Sequence, residues 1–284
     1  MDTVVLYHIP PSFYSQIARI ALRELAVDFE ERMAPPGPPT YDTYQPWYLK
    51  LNPMGTVPTM VHGSQAIPDS EAIMRYAAEH LSDIDLEPSD PERREEMEAW
   101  ITSLREVSLR ELSYSSDGTR KLGARVNRMR LKVLERRRAR HPEMAEVYTR
   151  KIDDIRGFAQ RAVDPEIAAA HKRLVAKKLD DLDTLLSNST WITGESYSLA
   201  DLVWTVGVAR FIMLDLDPLE GRANLGRWYA LVRARPSFAD ADVWESFKPL
   251  AMLRAVSIRF RAQLVMASAA AAGSSAALVW FLSR

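Results

Sequence analysis

The stretch Leu51–Tyr76, LNPMGTVPTMVHGSQAIPDSEAIMRY, sets Pro58 at the head of a strand-like run and a helix start, Asp69-Ser70, just behind the turn that follows. Proline has no N–H to give to a ladder, so Pro58 belongs at a sheet edge or a special bend, not in a central strand. The chain must therefore build a sheet with an open edge close to a helix N-terminus. Such an edge is available to a partner.

The elements around this stretch follow from hydrophobic period. Thr3 to Tyr7 reads as a strand, His8-Ile9-Pro10-Pro11 as a loop, Phe13 to Leu25 as a helix and Val27 to Met33 as a second strand, which together make a βαβ unit. A proline-rich connection, APPGPPTYDTYQP, leads to a short segment at Tyr48 to Leu51. Val57 to Val61 and Gln65 to Pro68 form a hairpin around His62-Gly63-Ser64, and Ser70 to Leu81 is a helix with Ala72, Ile73, Tyr76 and Ala77 on one face. Prolines at Pro88 and Pro91 mark a linker. Helix-spaced apolar residues then recur over 92–112, 122–139, 142–162, 166–186 and 199–214, with no internal repeat. The expected organisation is a small α/β domain over 1–84, an all-helical domain over 92–250 and a hydrophobic tail over 251–284.

Composition excludes several classes. With 47% hydrophobic and 26% charged residues the chain is globular, and a formal net charge of -1 argues against a nucleic-acid partner. The chain has no cysteine, so disulfides, thiolate metal sites and a protein thiol nucleophile are out, and any sulfur chemistry arrives on a ligand. The first residues lack the basic start and apolar core of a signal peptide, which points to a cytoplasmic protein. His8, His62, His80, His141 and His171 have no ligand spacing, so no metal is expected.

LYHIPPSFYSQIARIALREL, LNPMGTVPTM, PDSEAI and GESYSLADL occur in an order and spacing that resembles the glutathione transferase superfamily. The resemblance implies a thioredoxin-like α/β N-terminal domain, an all-α C-terminal domain, glutathione as co-substrate, a small hydrophobic electrophile and a homodimer. It implies a cis bond between Val57 and Pro58, with the Val57 backbone meeting the cysteinyl part of glutathione as an added strand would. Asp69 and Ser70 would take the γ-glutamyl end, the acid facing its amine and the helix N-terminus its carboxylate. Alone, the same pair is an ordinary cap. Ser12 falls where classes resembling theta and zeta carry the catalytic hydroxyl. A free thiol titrates at about 8.5, so a donor hydrogen bond at a helix N-terminus would increase the thiolate fraction. Ser12 equally suits a plain N-cap; Ser15 and Tyr14 are the neighbouring alternatives, Tyr14 lying where some bacterial members carry cysteine. Lys50 and Thr56 are further candidates for contact with the carboxylate or backbone of the ligand. Ser198-Leu-Ala-Asp201 resembles a capping box with a structural role.

LYHIPPSFYSQIAR, QPWYLKLNPMGTVPTMVHG and HPEMAEVY resemble more closely the ganglioside-induced differentiation-associated protein family. That resemblance implies a helical insertion at about 118–173 and an alternative function as a catalytically weak, membrane-associated adaptor. Ten bases against Glu135 alone lie between Arg120 and Arg140, suited to an acidic surface or to a solvated helix whose stripe Leu122, Val126, Met129 and Val133 is buried. The uncharged run 264–282 follows Arg254, Arg259 and Arg261 and has the length of a tail anchor, although an alanine-rich packed helix has the same pattern.

Overall fold

The structure, a computed structural model, describes residues 2–114, 117–162 and 164–248. Four strands form one mixed sheet: β1 (Val4–His8), β2 (Glu30–Met33), β3 (Thr59–His62) and β4 (Gln65–Pro68), in the order β2-β1-β3-β4. β1 and β2 run parallel, joined by the crossover helix α1 (Phe13–Glu24). β3 is antiparallel to β1, with Leu6 opposite Met60, and β4 returns along β3 with Ile67 opposite Met60. Leu6 and Met60 are fully buried, as period-2 alternation with one covered face requires. β2 begins three residues later than its apolar pattern suggests, because Ala26 turns the chain with a φ of 52°. β3 starts one residue after Pro58, which has no N–H to give to the ladder.

Helix α2 (Pro46–Leu51) precedes the hairpin and α3 (Ser70–His80) follows it; α3 packs on α1 and on β3 and β4. The rest is helical: α4 (Pro91–Arg105), α5 (Leu109–Ser113), α6 (Asp117–Arg140), α7 (Ala145–Arg161), α8 (Pro165–Leu185), α9 (Leu199–Met213), α10 (Ala223–Arg233) and α11 (Pro236–Asp240). The single helix expected over 92–112 is two. Val107 turns inward at 3% exposure and Ser108 is extended, so α5 leaves in a new direction. Helices α10 and α11 are further elements, and periodicity did not single them out.

Every residue from Leu199 to Phe211 is buried, which explains why α9 has no polar face. It touches α1 on one side and α4 and α10 on others, so one continuous core runs from the sheet through α1 into the helices. The start of α9 is held by the expected capping box. Asp201 accepts from Ser198 N at 2.9 Å, Ile192 N at 2.9 Å and Trp228 Nε1 at 2.8 Å, and is fully buried. Its desolvation raises the carboxyl pKa, opposed by those hydrogen bonds.

A second cluster, including Tyr44, Leu49, Leu134, Tyr148 and Ile152, fastens the loop before α2 to α6 and α7. Part of the basic segment is used here: Arg130 donates to Pro36 O at 3.1 Å, and Arg137 to Tyr41 O at 2.9 Å. The stripe expected to be buried on α6 is corrected by the packing. Leu122 is 63% exposed and Met129 37%, whereas Gly123, Asn127 and Leu134 face inward.

The described residues through Phe247 belong to one compact unit. The tail 264–282 lies outside the described residues. Among the described residues no helix is long and apolar enough to cross a membrane.

Candidate active site

Ser12 is the N-cap of α1. Its Oγ accepts from the Ser15 amide at 3.3 Å, and its own backbone is extended. A hydroxyl has one proton to give and two lone pairs to accept with, so capping leaves the Ser12 proton available for an anion at the helix start. The two roles read from the sequence are thus compatible at one atom. Ser15 is fully buried, its Oγ without a partner among the described residues. It faces the core, where no ligand reaches it.

The Val57-Pro58 peptide is cis. The segment leading to it is pinned from α2: Tyr48 Oη donates to Thr56 O at 2.6 Å, and Asn52 Nδ2 reaches the same carbonyl at 3.0 Å and Thr59 Oγ1 at 3.0 Å. Tyr48 and Asn52 are buried, so this bend is held by the core. No hydrogen bond of the described residues uses the Val57 amide. Thr56 is exposed and serves this bracing through its carbonyl. Lys50, exposed at the end of α2, has no hydrogen bond or ion pair among the described residues.

Asp69 caps α3. Its Oδ1 accepts from Glu71 N at 2.9 Å and Ala72 N at 3.4 Å, and its carbonyl from Ile73 N at 3.1 Å. The free donors at this helix start are therefore the N–H and Oγ of Ser70, and the free acceptor is Asp69 Oδ2. An amine beside a carboxylate matches that pair.

A cleft brings Asp69 and Ser70 together with Tyr14. Its other walls are apolar: Phe13 and Ile17 from α1, Ile101 and Leu104 from α4, Val107, Leu109, and Val203 from α9. Tyr14 joins Phe13 and Ile17 in the α1 wall, with half its surface open to solvent, and Ser12 does not line the cleft. Desolvation and then the Asp69 carboxylate raise its phenol pKa, so Tyr14 stays protonated. Arg105 pairs with Glu71 at the rim. Arg105 of α4 and Glu71 of α3 lie 34 positions apart in sequence, and no local pattern marks them. Tyr7 is half-buried in β1, with its hydroxyl 3.4 Å from Arg32 Nη1, as a strand residue.

Two buried guanidinium groups lie beneath the loop that carries Ser12. Arg19 Nη2 donates to Pro10 O at 3.2 Å, and Arg210 Nη2 donates to Pro11 O at 2.6 Å. Arg19 also meets His8 Nδ1 at 3.0 Å, and His8 Nε2 lies 3.0 Å from Glu31. Burial lowers both arginines to about 10. Each is a lone cation inside an apolar run, in IARIAL and in VGVARFIM, which is the sequence signal that marks them. Among the described residues no cluster of His, Asp or Glu is arranged to hold a metal ion.

Residues 6–83 match the family model for the glutathione S-transferase N-terminal domain, and residues 141–236 match that for the C-terminal domain. The chain is 29% identical over 249 residues to a tetrachloro-p-hydroquinone reductive dehalogenase of Sphingobium chlorophenolicum, covering 87% of this chain and 99% of that one. It is 30% identical over 237 residues to the glutathione S-transferase TCHQD of Arabidopsis thaliana, covering 82% and 87%. Among solved structures, the beta-etherase LigF from Sphingobium sp. strain SYK-6 superposes with a TM-score of 0.66 at 22% identity, over 84% of this chain and 98% of that one. The architecture is thus the expected thioredoxin-like α/β domain followed by an all-helical domain. The finer resemblance to the ganglioside-induced differentiation-associated branch is not supported. The relatives lie among transferases and a dehalogenase instead.

Proposed function

This chain belongs to the glutathione S-transferase family, and on that premise we propose that Ser12 activates glutathione held between the N-termini of α1 and α3. It is a glutathione-dependent enzyme of transferase or lyase type, and the adaptor alternative is not favoured, because the relatives are enzymes. In this reading the Val57 backbone pairs with the cysteinyl unit, Asp69 and Ser70 take the γ-glutamyl end, and Lys50 meets a carboxylate. The observation that carries it is the geometry at Ser12, whose capping bond uses an oxygen lone pair and leaves the hydroxyl proton free to be donated at the α1 N-terminus.

The Ser12 proton stabilises the thiolate; it is not transferred. Sulfur attacks an electrophilic carbon, a C–S bond forms, and the leaving group departs with its electron pair. The apolar walls Phe13, Ile17, Leu104, Leu109 and Val203 favour a small hydrophobic electrophile. The names of the dehalogenase and the beta-etherase support an aromatic carrying a halide or ether leaving group. Positioning in this cleft, more than acid–base chemistry, supplies the acceleration. The proposal includes a homodimer, checked by sedimentation, and membrane contact of the tail 264–282, checked by fractionating full-length protein beside a version ending at Arg261.

Calorimetry with glutathione, followed by conjugation assays with chlorinated aromatics and aryl ethers, tests the reading. Binding with turnover of one class is expected. No binding at millimolar glutathione overturns it.

A further inference from the structure

Arg210 is 8% exposed, and among the described residues no carboxylate pairs with it. Its hydrogen bond goes to Pro11 O, and its Nε is buried without an acceptor. A guanidinium does not shed its proton at neutral pH, so this is a permanent positive charge taken out of water. Such burial is unfavourable unless the charge is compensated, and a hydrophobic side chain of similar volume would be tolerated there at least as well.

Its surroundings show where the charge acts. Pro11 immediately precedes Ser12, and the ring of Phe13, the first residue of α1, lies 5.9 Å from the guanidinium carbon. Other charged groups around the loop have partners. Arg19 from α1 is offset by Glu31 of β2 and Asp242 after α11. His8 of β1 is held toward its neutral form, and Glu71 is paired with Arg105 across the cleft. Arg210 has no carboxylate partner among the described residues, and the direction of its field agrees with that of the α1 dipole. Low-dielectric surroundings screen it less than they would a surface arginine.

We propose that Arg210 is an electrostatic positioning residue, whose uncompensated charge holds the Ser12 loop through the Pro11 carbonyl and stabilises the glutathione thiolate formed above it. This rests on the reading of Ser12 given above. The charge need not touch the ligand. It sets the potential in which the thiol ionises.

The experiment titrates the thiolate absorbance of bound glutathione, with thermal melting, in wild type, Arg210→Met and Arg210→Lys. Wild-type protein is expected to hold the bound thiol below its free value. Arg210→Met raises that value by about one unit, a tenfold loss of thiolate at a given lower pH, and melts no lower than wild type. Arg210→Lys keeps most of the wild-type titration because it keeps the charge. A methionine variant that melts lower with an unchanged thiol titration gives Arg210 a structural role only and overturns the inference. So does a lysine variant as impaired as the methionine one. Should the methionine variant fail to fold, Arg210→Gln carries the same comparison. A wild-type protein whose bound glutathione titrates like free glutathione overturns the Ser12 reading instead, which separates the two failures.

Discussion

The Glu71 amide donates to Asp69 Oδ1 at 2.9 Å, so the carboxylate that starts α3 uses one oxygen for its own helix and leaves Oδ2 without a hydrogen bond among the described residues. The two functions separate chemically. Asparagine caps a helix about as well as aspartate and tolerates the φ of 78° at this position, but it carries no charge. Asp69→Asn is expected to change stability by less than ~0.5 kcal/mol and to raise KM for glutathione by up to about fivefold, the ~1 kcal/mol upper end for one lost exposed ionic contact. Melting and steady-state kinetics check it. Unchanged KM with lowered stability would confine Asp69 to capping.

Ser12→Ala removes both the cap and the thiolate donor. The loss of the donor is expected to lower kcat/KM by roughly 2 to 4 kcal/mol, with glutathione affinity nearly unchanged, because the hydrogen bond strengthens only as sulfur ionises. The lost cap adds about 1 kcal/mol of destabilisation. Ser15→Ala leaves kcat intact, since the Ser15 hydroxyl is sealed in the core. Stopped-flow conjugation assays check the set. Full activity in Ser12→Ala with a dead Tyr14→Phe would move the donor to the phenol that lines the cleft.

His8 links stability to pH. Its folded pKa is lowered from 6.5, first by desolvation, with the Glu31 hydrogen bond opposing and the Arg19 charge reinforcing. Below 6.5 and above the folded value, the unfolded chain binds more protons than the folded one, so stability rises with pH across that window. Wild-type protein is therefore expected to lose stability as pH falls through 6.5 toward the folded value, and His8→Gln to have a flatter profile by at most ~1.4 kcal/mol per pH unit. Chemical denaturation at several pH values measures the slope. Identical slopes would show that the His8 pKa is not lowered in the folded protein.

The local grammar of the chain was legible. Ser12, Asp69 and Ser198 announce helix starts because a cap is closed by amides two or three residues away, and the strand alternation around Leu6 and Met60 declares its buried face. Pro58 declares a bend at the strand head for an equally local reason, its missing N–H. The break at Val107 was not legible, since the run from Pro91 to Ser113 keeps apolar residues at helical spacing through the turn. Nor was the exposure of Leu122 and Met129, because which side of α6 is covered depends on where α7 and the loop 34–45 lie.

By itself, then, the sequence determined the order of elements through α3, the caps at Ser12, Asp69 and Ser198, the absence of any protein thiol, and the candidate site residues. Tertiary structure decided which of those residues share a cleft and what charge surrounds them. It set Tyr14 opposite Asp69 and Ser70 and carried Arg210 to a carbonyl 199 positions away. The division has one physical cause. Caps and alternation are settled by hydrogen bonds and sterics within a few residues, whereas a cleft and its electrostatic potential are made by side chains that only the packing of α1 against α9 brings together.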